Sequence, residues 1–258
     1  MINEDGSLFD DQAVGAKARR RALDHDAWDR ADEPIPYDPL DKTNLGRSVE
    51  SALLGRPRIA LTGVPPFYGA GIYALYYRGQ HPLYEPIARS ETPIYVGKAV
   101  PAGGRKGLTD QIQRTRALWN RIDEHRDSVE QAEDLHVADF EVRYLVADEL
   151  FIPMAERLMI RGFAPVWNLV VDGFGNHDPG AHRRAGARPP WDELHPGRWW
   201  SRLMSNPSNI AAATSAALIA EHLERHPPVA DIDTHPPAPV LKEEEVPESA
   251  IDSEPVEE

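Results

Sequence analysis

From residue 71 the chain alternates with a period of two. In "GIYALYY", Ile72, Ala74 and Tyr76 fall on one face and Tyr73, Leu75 and Tyr77 on the other, which predicts a strand over 71–77. "PIYVG", residues 93–97, reads as a second short strand, and the intervening "RGQHPLYEPIARSET" is too long for a tight hairpin turn. "ADFEVRYLVA", residues 138–147, predicts a third, with Phe140, Val142, Tyr144 and Val146 on one side and polar Glu141 and Arg143 on the other.

Helical signals surround these strands. Residues 15–31 read as a charged helix. Residues 44–54 read as a short one, with Thr43 as its cap and Gly55 as its stop. After the glycine-rich "VPAGGRKG" a helix is expected over about 108–126. Pro153 suits the first turn of a helix running to Arg161, with Gly162 ending it. "WDELHPGRWW" begins a helical region, and "SNIAAATSAALIAEHLERH" is an alanine-rich helix. No internal repeat is visible. From Pro227 the chain is proline and acid with few aromatics, the composition of a disordered tail. The expected fold class is α+β, a small antiparallel sheet with helices packed on it.

Composition narrows the function classes. A hydrophobic fraction of 41% in 258 residues is enough for a core, and no run reaches the roughly 18–20 apolar residues of a membrane span. "MINEDGSLFDD" lacks the layout of a secretory signal. The absence of cysteine excludes disulfides, thiol catalysis and cysteine-based zinc sites, and a cytoplasmic location is expected. The net charge of -14 argues at first against a nucleic-acid partner. Residues 231–258, however, hold ten acids against Lys242 alone, whereas residues 98–126 carry seven bases and three acids. Phosphate binding follows the local potential, so DNA or RNA stays open as a partner.

Six groups stand out by type and placement: Tyr73, Tyr95, Arg121, His125, Glu156 and Asn168. Arg121 and His125 are four apart on an expected helix and share a face. Glu156 sits in "FIPMAERLMI", a helix apolar at most neighbouring positions, where an acid is costly to bury without a partner, and a metal is such a partner. Phosphodiester hydrolysis needs this kit. One carboxylate suffices to hold Mg²⁺, and arginine matches phosphate with two parallel hydrogen bonds. A tyrosine with pKa about 10 is a poor base alone, but a histidine near 6.5 could take its proton and form a relay.

The ordered set of Gly71-Ile72-Tyr73, Tyr95-Val96-Gly97, Arg121, His125, Glu156 and Asn168 resembles the GIY-YIG nuclease superfamily. "RIDEH", "ERLMI", "WN", "GFGNHDPG" and "WDELHPGRWW" are similar to one branch of it, the type II restriction endonucleases that cut CCGCGG. The resemblance spans roughly residues 36–202. It implies a three-stranded antiparallel sheet flanked by helices, working as a homodimer on double-stranded DNA with Mg²⁺. It also implies that Glu156 binds the metal, Tyr73 activates water with Tyr95 beside it, Arg121 contacts phosphate, and Asn168 holds the group together. His125 would fill a place that is often tyrosine in the superfamily. A paired DNA methyltransferase is implied to protect the host. The corresponding divisions are an N-terminal helical extension (1–35), the endonuclease domain (36–202), a C-terminal helix (203–226) and the acidic tail (227–258).

Plainer readings exist for single residues. Tyrosines suit any half-buried strand, and Tyr76 and Tyr77 are expected to be packing. Lys98 could assist a tyrosine or face solvent. Lys98, Arg105, Lys106, Arg114, Arg183 and Arg184 are candidate DNA contacts. "GFGNHDPGAHRR" reads as a turn before it reads as a second metal centre at His177, Asp178 and His182. Trp199 and Trp200 are expected in core or subunit packing. The rival functions are a GIY-YIG nuclease of repair or homing type, and a catalytically silent DNA-binding protein on the same scaffold.

Overall fold

The computed structural model describes residues 42–100 and 115–231. The expected helix over 15–31, the glycine-rich segment, the start of the helix over 108–126, and Arg105, Lys106 and Arg114 lie outside them, as does most of the acidic tail. The chain divides into two units, Met1–Asp38 and Pro39–Glu258, and the described residues all belong to the second.

Four strands form one antiparallel sheet: β1 (Ile59–Ala60), β2 (Gly71–Tyr77), β3 (Tyr95–Ala99) and β4 (Phe140–Val146), in the order β1-β4-β2-β3. The three longer strands are those legible in the sequence, and the two-residue β1 adds an edge. The register sets Tyr73 between Gly97 of β3 and Tyr144 of β4.

Helices cover both faces, so every residue of β2 is buried. One face carries Ile72, Ala74, Tyr76 and Val96 under α1 (Lys42–Leu54) and α3 (Ile152–Phe163). Gly46 of α1 lets the helices close up, since a Cβ there would meet Leu158 Cδ1 at 2.4 Å. The other face carries Tyr73, Leu75, Tyr77 and Tyr95 under α2 (Ala117–Gln131), with Leu118, Ile122 and Val129 pointing inward. Trp167 of the short α4 (Val166–Leu169), Phe174, and Trp191 of α5 (Pro190–Leu194) extend that core, and Ile219 and Leu223 of α6 (Ala212–Arg225) close it. The split of β2 between the two cores is the period-two pattern made physical.

Local expectations shift where packing outweighs local chemistry. The first helix begins at Lys42, which puts Thr43 inside it rather than at its cap. The helix expected from 108 runs from Ala117 to Gln131 among the described residues. Gly162 does not stop α3; the helix continues through Phe163, which buries into the core, and ends on Ala164 in the left-handed region at φ 45°. His222 of α6 holds that turn by donating Nε2–H to the Ala164 carbonyl at 2.7 Å. "WDELHPGRWW" yields only the five-residue α5.

Arg143 was expected on a polar face but is buried, because Tyr76 Oη, Glu91 and the Arg56 carbonyl receive its donors. Val146 is correspondingly exposed. The acidic tail does not begin at Pro227: Glu91 N–H donates to the Val229 carbonyl (2.7 Å) and Val229 N–H to Thr92 Oγ1 (2.8 Å), fastening the chain as far as 229. Trp200 is buried as expected, whereas Trp199 is 54% exposed.

Candidate nuclease active site

Tyr73 stands mid-strand on β2 and is fully buried, with its phenol lying across Gly97 of β3. Its hydroxyl sits 2.5 Å from Nε2 of His125. His125 is buried too, one helical turn after Arg121 on α2, so the i, i+4 spacing aims both at the same place. Its ring stacks on Phe174 at 4.4 Å and 15° and meets the edge of Tyr95 at 5.1 Å. Tyr73 and Tyr95 are 6.2 Å apart, centroid to centroid. The two motif tyrosines therefore share one cleft with one histidine.

Burial holds His125 well below its ordinary pKa, reinforced by the positive charge of Arg121 and by His177 and Arg198. The imidazole is neutral near pH 7. With its proton on Nδ1, Nε2 is an acceptor aimed at the phenol O–H.

Arg121 is itself held. Its guanidinium donates to the Gly175 carbonyl at 2.9 Å and to His177 Nε2, and Glu124 lies 3.4 Å away. His177 thus belongs to the surroundings of Arg121, while Asp178 pairs with Arg184 at 2.8 Å. Beside Arg121 and His125 opens a pocket of about 200 Å³, bounded by the 174–178 loop, Arg198 and Trp199.

Asn168 meets the group through backbone. Val96 N–H donates to its Oδ1 and its Nδ2 donates to the Val96 carbonyl, both at 2.8 Å, which fixes β3 next to Tyr95. Glu156 on α3 is 1% exposed and receives the Lys98 ammonium at 2.7 Å. By strand alternation Lys98 shares the face of Val96, so this contact links Glu156 to β3 from the side opposite Tyr73. Lys98 therefore faces a carboxylate and not solvent. The Glu156 carboxylate offers the hard oxygen donor a divalent cation takes, and the Lys98 ammonium that holds it would have to give way to the ion.

Among the outer candidates, Arg183 is exposed in the turn Ala181–Arg183, and Arg184 lies 5.6 Å from the exposed Trp199 ring.

A further cluster was not legible in the sequence, because its members are 53 and 61 residues apart: His81, Asp134 and His195. Metal ligation is one reading of three such side chains. Their hydrogen bonds instead close a chain. Trp167 Nε1–H donates to Tyr84 Oη (2.9 Å), which lies 2.6 Å from His195 Nε2. His195 Nδ1 faces Asp134 Oδ2 at 2.9 Å, and His81 Nε2 faces the same oxygen at 3.4 Å. Leu83 N–H donates to His81 Nδ1, which puts that ring's proton on Nε2, toward the carboxylate. Every proton of the chain has a place, and a metal would have to displace them.

No helix among the described residues is long and apolar enough to cross a membrane. No curated protein matches the chain. The family model for the Eco29kI GIY-YIG domain matches residues 65–226, well over half of the sequence and a span that contains the six candidate site positions. With the tyrosine motifs on neighbouring strands of a small antiparallel sheet, this chain belongs to that GIY-YIG nuclease family.

Proposed function

We propose that the protein is a magnesium-dependent, type II restriction endonuclease that cuts double-stranded DNA at a GC-rich palindrome such as CCGCGG. The observation that carries the chemistry is the 2.5 Å contact between Tyr73 Oη and the neutral His125, one helical turn from Arg121. Tyr73 passes its proton to His125 Nε2 as it takes one from the attacking water, so the pair does what neither does alone at neutral pH. Arg121 binds a non-bridging phosphate oxygen through its fork. Tyr95 lines the same cleft, and Asn168 keeps its strand in place. Glu156, on the other face of the sheet from Tyr73, would hold the Mg²⁺ ion once Lys98 releases it, and the ion would supply charge neutralisation at the phosphoryl oxygens and the leaving 3′-oxygen. The products are 5′-phosphate and 3′-hydroxyl ends.

Arg183 and Arg184 are assigned to DNA contact, with arginine suited to guanine edges; Lys98, Arg105, Lys106 and Arg114 are the further basic candidates. A palindromic site calls for a homodimer, and host survival calls for a cognate DNA methyltransferase. The test is purified protein on unmethylated plasmid with one CCGCGG site, with Mg²⁺ or EDTA, beside Glu156→Ala. One discrete cut requiring both Mg²⁺ and Glu156 is expected. Discrete cuts elsewhere would replace the site, cutting at branched structures would favour repair, and binding without cutting would overturn the enzyme.

A further inference from the structure

We propose that Arg198 is a positioning residue of the nuclease centre, holding the 173–177 loop so that the loop in turn sets both Arg121 and the ring of His125. The inference rests on the reading of Arg121 and His125 as active-site groups.

Arg198 is 1% exposed, and all five of its donors are spoken for. Nε–H reaches Asp192 Oδ1 at 2.7 Å and one Nη2–H reaches Asp192 Oδ2, a two-pronged pair with a fully buried carboxylate. The other three go to backbone carbonyls of one short stretch: Gly173 at 2.7 Å, and Phe174 and Asn176 at 3.0 Å each. The Trp191 and Trp200 rings flank the guanidinium, each at 4.6 Å.

The stretch so held is the one that touches the site. Its remaining carbonyl, Gly175, accepts from Arg121, and His177 accepts from the same guanidinium. Phe174 supplies the ring stacked on His125 and also meets Tyr95 at 4.9 Å. The loop needs such a clamp because it opens on Gly173 at φ 106°, where Pro189 leaves no room for a Cβ. Two arginines thus share the carbonyls of four successive residues, one anchoring and one in the site. Lysine could not replace the anchor, since three donors on a flexible stem cannot reproduce a five-donor fork.

The ionisable groups facing His125 are Tyr73 of β2, Tyr95 of β3, Arg121 of its own helix, and His177 and Arg198 from the C-terminal loops. Glu124, Asp127 and Asp178 line the outer pocket. Loss of the Arg198 charge and of the Phe174 cover should both move His125 upward in pKa.

Removing Arg198 alone leaves Asp192 buried and charged, so the test uses the paired change Arg198→Met with Asp192→Leu, which removes both charges at similar volume. The variant should keep its circular dichroism and its DNA KM, while kcat falls about a hundredfold, as misplacement by about an ångström does. The acid limb of its pH–rate profile should move to higher pH. A folded variant with wild-type kcat and an unmoved profile would overturn the proposal. Phe174→Leu, which leaves Arg198 in place, should shift the limb in the same direction and covers the case in which the double variant does not fold. If the wild-type protein cuts no DNA, the functional reading fails by itself. The His125 ring titration followed by NMR in the free protein then still decides: an upward shift in either variant supports positioning, and identical titrations refute it.

Discussion

Adding one methyl group at Gly97 should slow the enzyme sharply without unfolding it. Gly97 lies opposite Tyr73 in the β2–β3 register, and a Cβ there would sit 2.3 Å from the Tyr73 hydroxyl, 2.5 Å from Cζ and 3.0 Å from Cε1. Ordinary contact begins near 3.4 Å, so the phenol must retreat by about 1 Å. The ring is fully buried against Tyr95 and His125, so it has nowhere to swing freely. A retreat of that size stretches or misaligns the 2.5 Å bond to His125. Misplacement by about 1 Å lowers catalysis on the order of a hundredfold, and overpacking of this kind costs about 1–3 kcal/mol of stability. Gly97→Ala should therefore show a single-turnover cleavage rate about a hundredfold down, DNA affinity unchanged, and a modestly lower Tm. Gly71→Ala is the contrast: its Cβ would fall 1.9 Å from the Leu145 carbonyl, a backbone atom that cannot step aside, so the loss there should be of the fold itself. Gly97→Ala cleaving at the wild-type rate with an unchanged Tm would refute the account of how Tyr73 is placed.

Two further outcomes follow from the buried charges. Lys98→Met withdraws the ammonium facing the buried Glu156 carboxylate and should cost about 3–5 kcal/mol in urea denaturation, partly recovered by Mg²⁺; a loss below about 1 kcal/mol would mean that Glu156 does not depend on that charge. The buried His125, His195 and His222 are all held below their usual pKa, in each case by burial first. Unfolding therefore takes up protons below about pH 6.5, and stability should fall as pH drops through that point, by up to about 1.4 kcal/mol per pH unit for each group that stays neutral in the fold. A Tm flat from pH 7.5 to 5.5 would contradict this.

What the sequence made legible was periodic. Two-residue alternation divided β2 correctly between the two cores, and the i, i+4 spacing put Arg121 and His125 on one face of α2. Local stop signals fared less well. Gly162 is a better helix terminator than Ala164 by backbone freedom, yet burial of Phe163 and the bond from His222 carry α3 past it. Arg143 looked like a solvated residue because its partners, Tyr76, Glu91 and the Arg56 carbonyl, are 52 to 87 positions away. A separation of 58 positions likewise hid the Lys98–Glu156 pair, and one of 22 to 25 hid the grip of Arg198 on the 173–177 loop. Such pairings are products of the fold, and no periodic pattern along the chain joins their halves.

The paired bonds between Asn168 and Val96 bear on how the molecule behaves in a crowded solution. β3 is a border strand, and the outward N–H and C=O of Val96 are the groups on which another chain would begin to build. The Asn168 amide offers one acceptor and one donor at the spacing of a peptide unit and occupies both. At Val96 one side chain imitates the next strand, and just before it Trp167 N–H donates to the Ile94 carbonyl at 3.0 Å. A chain with alanine at 168 would keep its tyrosines and its buried Glu156, but it would leave the N–H and C=O of Val96 open at the border, and its first failing would be a tendency to stack with its own copies.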